Sequence, residues 1–66
     1  MDIEKLVNIL NEIDLYESKL KSTDYKAIKY SEGLYTEEEY YPIKIERQSY
    51  RDKINQLNNE KDKLLK

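Results

Sequence analysis

The side chains of this chain that could do chemistry are lysines, arginines, tyrosines and carboxylates, because it contains no histidine and no cysteine. The lack of histidine removes the usual general base near neutral pH and the commonest metal ligand. The lack of cysteine removes a disulfide framework and a thiolate metal site. Glu37, Glu38 and Glu39 place three carboxylates side by side. In the first turn of a helix such residues serve the helix dipole and the cap. No Ser-His-Asp set and no phosphate-cradling glycine loop is present, and the chain has a single glycine. The reading is therefore of a protein without catalytic residues, metal or cofactor.

What stands out is tyrosine next to basic charge. Seven tyrosines occur without any Phe or Trp. Six of them, Tyr25, Tyr30, Tyr35, Tyr40, Tyr41 and Tyr50, gather around the middle of the chain. On one side of that middle lie Lys19, Lys21, Lys26 and Lys29, and on the other Lys44, Arg47, Arg51 and Lys53. Whether these groups act together depends on the elements that carry them.

Those elements are two helices. Leu6, Ile9, Ile13, Tyr16, Leu20, Thr23, Ala27, Tyr30 and Leu34 follow one another at spacings of three and four, a heptad seam. Asp2 suits the N-cap and Gly33 the left-handed residue past the C-cap. The spacing predicts one helix from about residue 3 to 31. After a turn at about 32–36, Thr36 and Glu39 read as a capping box, and Tyr35 with Tyr40 as a hydrophobic staple. Tyr40, Ile43, Arg47, Tyr50, Ile54, Leu57, Lys61 and Leu64 form a second seam, so a second helix is predicted over about 37–65. Pro42 lies beyond its first turn and predicts a kink or restart near Tyr41.

A short link makes two long helices antiparallel neighbours. Facing residue numbers then sum to about 70, which sets Leu6 by Leu64, Ile13 by Leu57, Tyr16 by Ile54, Leu20 by Tyr50 and Arg47 by Thr23 and Asp24. A charged seam residue needs a partner, and Asp24 is placed to form an ion pair with Arg47. Residues 1–18 carry five acids and one base and lie beside residues 54–66, with three bases and two acids, which favours this pairing. One hairpin seam is too small a core for sixty-six residues. Ile3, Val7, Leu10, Leu15, Ile28, Ile45 and Leu65 fall off or beside the seams and offer further apolar surface. The expected architecture is all-α: one domain, residues 1–66, an antiparallel coiled-coil-like hairpin assembled into a helical-bundle homo-oligomer.

The run "LKSTDYKAIKYSEGLYTEEEYYPIKIERQSYRDKINQL", residues 20–57, resembles a segment of small phage and prophage proteins. These read T-D-Y-x-A-I-K-Y-x-E-G, then S/T-x-E-E-Y-x-P-I-K, then R-Q-x-W/Y-R-D-x-I-N-x-L. Tyr50 stands where Trp is frequent. The resemblance implies a helical accessory protein in a viral setting and carries no assigned reaction. "MDIEKLVNILNEIDLYES" lies outside it as an extension of this chain.

Folding the hairpin on paper joins the two basic runs into a belt of net charge +5 below the turn. Tyr30, Tyr40 and Tyr50 belong to the seams, whereas Tyr25 and Tyr41 are off them and free to meet a partner. The candidate partner- or ligand-binding residues are Tyr25, Lys26, Lys29, Tyr41, Lys44, Arg47 and Arg51. A solvated helical surface is the plain reading of the belt. Two functional expectations stand beside it. One is a non-enzymatic phage accessory protein acting through contacts with itself and with a phage or host protein, in virion assembly or in blocking a host function. The other is an anti-defence protein that captures an anionic nucleotide on the belt. A net charge of −2 argues against indiscriminate duplex DNA binding, and no sequence-specific DNA binding is expected. The acidic start and the lack of a long apolar run argue against a signal peptide and a membrane span. The expected location is the bacterial host cytoplasm or the virion.

Overall fold

The computed structural model describes residues 2–66, which form two helices, α1 (Ile3–Ser31) and α2 (Glu37–Leu65). They pack against each other as a hairpin, with no strand among the described residues. Their ends are fixed by local chemistry. At the start of α1 the Asp2 carboxylate accepts from the Lys5 amide at 3.0 Å, satisfying one of the free donors of the first turn. At its end the Gly33 amide donates to the Tyr30 carbonyl at 3.0 Å and the Leu34 amide to the Lys29 carbonyl at 2.9 Å. These two bonds make a Schellman motif, and Gly33 supplies its left-handed residue with φ of 80°. α2 begins with a reciprocal capping box: the Glu39 amide donates to Thr36 Oγ1 at 3.1 Å and the Thr36 amide to Glu39 Oε1 at 3.0 Å. The expected restart at Tyr41 does not occur, and α2 runs unbroken through Pro42. Proline supplies no N–H for the Glu38 carbonyl one turn back, and at this exposed site water can take that acceptor.

The seam is real but thin. Ile9, Ile13 and Leu57 are buried, with Tyr16, Ile54 and Leu64 packed against them. Each of the three buried side chains contributes about 1.5–3 kcal/mol. Leu6, Leu20, Thr23, Ala27, Tyr30, Tyr40, Ile43, Tyr50 and Lys61 are half-buried along the same line. Leu34 is the exception at 64% exposure. The positive φ of Gly33 ends the helical phase that would have carried Leu34 back to the seam. Near the turn Tyr30 and Tyr40 stack face to face, with centroids 4.2 Å apart and planes 5° from parallel.

The result is a rod of 48 × 15 × 14 Å. Its radius of gyration is 15.1 Å, against about 11 Å for a compact chain of this length. Its accessible surface is 5128 Å², about 700 Å² above that of a compact monomer of this mass.

Candidate interaction surface

The centre of the basic belt is Arg47, and it points inward. The residue is buried, and its side chain keeps 9% of its exposure. Nη1 donates to the Leu20 carbonyl at 2.9 Å and to Thr23 Oγ1 at 2.7 Å, and Nη2 donates to Asp24 Oδ1 at 2.9 Å. The buried Nε has no partner. This guanidinium fastens α2 to one turn of α1 and is not an outward ligand group, because its donors are turned into the seam.

The ion pair also divides the belt. Asp24 flanks the seam on one broad side of the hairpin. Helical periodicity puts Glu17, Leu10 and Ile3, at heptad steps from Asp24, on that same side. On α2, Lys44, Arg51 and Leu65 occupy the corresponding positions beside Arg47. The opposite side holds Lys19, whose ammonium lies 5.3 Å from the Tyr16 ring centre and 5.6 Å from that of Tyr50. Those two rings are 6.0 Å apart. The Tyr50 hydroxyl donates a short hydrogen bond to the Glu46 carboxylate. That bond holds the phenol proton and, with burial and the negative charge of Glu46, pushes the Tyr50 pKa above its usual 10.0. Sequence reasoning missed this cluster. Its signal was present as Lys19 three residues after Tyr16 and Glu46 four before Tyr50, the spacings at which helical side chains meet.

The other candidate residues separate similarly. Tyr25 is 51% exposed and sits with Lys29 at 5.5 Å and Lys26 at 6.0 Å from its ring centre. Tyr41 is 63% exposed on α2, next to the Asp24 side. Lys44 and Arg51 are exposed, and Arg51 Nη1 donates to Gln48 Oε1 at 3.3 Å. Tyr25 therefore stands with two lysines of the belt, apart from Tyr41 on α2. The surface hollows lie elsewhere, toward the open end. One runs along α2 from Asp52 to Lys63, and one lies between Lys5 and Leu64.

Among the described residues no group of His, Cys, Asp or Glu is arranged to hold a metal ion. No helix is long and apolar enough to cross a membrane. Comparison of the chain with protein-family models, with characterised proteins and with solved structures finds no match.

Proposed function

We propose that this protein works by protein contact, as a hairpin unit that associates with further copies of itself and with a phage or host protein. The observation that carries the reading is the balance of apolar residues. Among the described residues three large apolar side chains are buried, whereas Ile3, Val7, Leu10, Leu15, Tyr25, Ile28, Leu34, Tyr41, Ile45 and Leu65 are exposed. Scattered exposed apolar groups are ordinary, but exposure that outweighs the core marks a chain built to be covered. The likeness of residues 20–57 to phage accessory proteins supports the viral setting and the bacterial host cytoplasm or the virion as its place, and the missing N–H of Pro42 inside α2 favours a kink there. Sedimentation equilibrium at micromolar concentration tests the association. At least a dimer is expected, with a melting temperature that rises with concentration. A well-folded monomer with a concentration-independent melting temperature would overturn the reading.

A second reading is favoured by the stacked cations of the Lys19 side. Lys19 over Tyr16 and Tyr50, with Lys26 and Lys53 near the same edge, offers amines and aromatic faces to an anionic nucleotide. Thermal shift against a nucleotide panel tests it. Stabilisation that disappears in Lys19→Ala supports capture, and no shift with any member of the panel refutes it.

A further inference from the structure

The Asp24 side of the hairpin is self-complementary when a second copy is laid on it head to tail, and we infer that this face forms an antiparallel two-fold dimer, a four-helix bundle. The inference rests on the self-association proposed above and specifies its surface and direction.

The apolar surface is distributed unevenly. Among the described residues, six of the ten exposed large apolar side chains belong to this face: Ile3, Val7, Leu10 and Leu65 near the open end, and Ile28 and Tyr41 near the turn. Ile3, Val7 and Leu10 share a stripe at steps of four and three, and Ile28 returns to that stripe three heptads after Val7. Among the described residues the opposite, Lys19-bearing face has Leu15 alone. The two apolar patches are equally far from the level of Glu17 and Arg51. Ile28 is eleven residues beyond Glu17 and Val7 ten before it, about 16 Å each way at 1.5 Å per residue. A two-fold axis through that level brings each patch onto the other.

The charges on the same face obey the same symmetry. Toward the turn it carries Lys21 and Lys44, toward the open end Asp14 and Asp62, and at the level of the axis Glu17 and Arg51, all exposed. Among the described residues none of these six has an ion-pair partner within the hairpin, where the pair found is Asp24–Arg47. Head-to-tail stacking sets Lys21 by Asp14 of the second copy, Arg51 by its Glu17 and Lys44 by its Asp62. Parallel stacking leaves Glu17 level with Arg51 but brings the Lys21 and Lys44 ends of the two copies together, and likewise the Asp14 and Asp62 ends, which like charges oppose. The area also fits. A face of 48 by 15 Å is about 700 Å² in projection, close to the roughly 800 Å² per partner of a stable interface.

The chain has no cysteine, so single cysteines can report direction. Val7→Cys and Ile28→Cys are introduced in separate chains, each checked by circular dichroism, and treated with a short bismaleimide. The antiparallel dimer predicts a cross-linked product when the two variants are mixed and little when either is treated alone. Independently, Asp14→Lys should raise the dimer Kd about tenfold, since each substitution breaks two symmetry-related pairs. Adding Lys21→Glu in the same chain should return it to within about threefold, because the swapped charges meet again only across the interface. Self-linking of Val7→Cys, or an oligomer with no Val7–Ile28 linkage, would overturn this arrangement and leave the association itself standing. A monomeric wild-type chain would overturn both.

Discussion

Removing the two partners of the Asp24–Arg47 pair separately and together measures what a buried guanidinium does in so thin a core. Arg47→Ala removes a side chain that is nine-tenths buried and strands the groups it served, so it should destabilise by about 3 kcal/mol. Asp24→Ala is milder. The carboxylate side is 56% exposed, so water can take over from it at Nη2, while Nη1 keeps the Leu20 carbonyl and Thr23 hydroxyl. A cost of about 1 kcal/mol follows, partly offset by the better helix propensity of alanine. Arg47→Met keeps most of the volume and avoids desolvating the cation, including its unpartnered Nε. Thr23 retains its bonds to the Lys19 and Leu20 carbonyls. That change should therefore fall within about 1 kcal/mol of wild type. In the Met background Asp24→Ala should cost nothing, a coupling of about 1 kcal/mol, in which the alanine propensity cancels. Urea unfolding followed at 222 nm, at one fixed protein concentration, gives all four values. A coupling below about 0.3 kcal/mol would refute the pair as a stabilising contact.

Further expectations concern the turn and the tyrosine cluster. Gly33→Ala should cost about 1–2 kcal/mol by thermal melt, all of it conformational, because no atom lies within 4 Å of the added methyl. A cost near zero would mean the turn adopts another conformation. Thr36→Ala should cost about 1 kcal/mol through loss of the cap, and Thr36→Ser should recover most of it. In an alkaline titration read at 295 nm, the component missing from Tyr50→Phe should ionise above 10.0. The sign follows from the raised value: the Tyr50–Glu46 bond contributes below pH 10 and is lost as pH rises through the folded-state pKa of Tyr50. If the lost component titrates at or below 10.0, the hydrogen bond is not formed in solution.

Periodicity carried the fold because each helix has one apolar line and each end has its own chemical mark. Asp2, Gly33, Thr36 and Glu39 act through bonds to neighbours within a few residues, so short-range sequence suffices to read them. The belt was less legible. Whether Lys21 and Lys26 face the same way depends on where a seam drifts around its helix, and adjacent positions can fall on opposite sides of the hairpin. Arg47 was counted both as a seam residue and as a surface cation, and packing allows it only the first role. Pro42 was expected to kink or restart α2, and the helix does not restart there because the missing donor affects one exposed carbonyl. Of the Lys19 cluster, the Tyr16–Lys19 and Glu46–Tyr50 spacings are local marks, but joining the two halves depends on contact between the helices.

The Schellman turn at Gly33 and the capping box at Thr36 face each other across only a few residues. If that link became helical, α1 and α2 would fuse into a single rod of about 90 Å. Its two seams would then be filled by the arms of another chain, an exchanged dimer with the same contacts as the hairpin. The contacts themselves do not choose between these topologies. The choice falls to a left-handed glycine and one reciprocal pair of side-chain bonds, and these few residues keep each chain's two helices on one another instead of on those of a second copy.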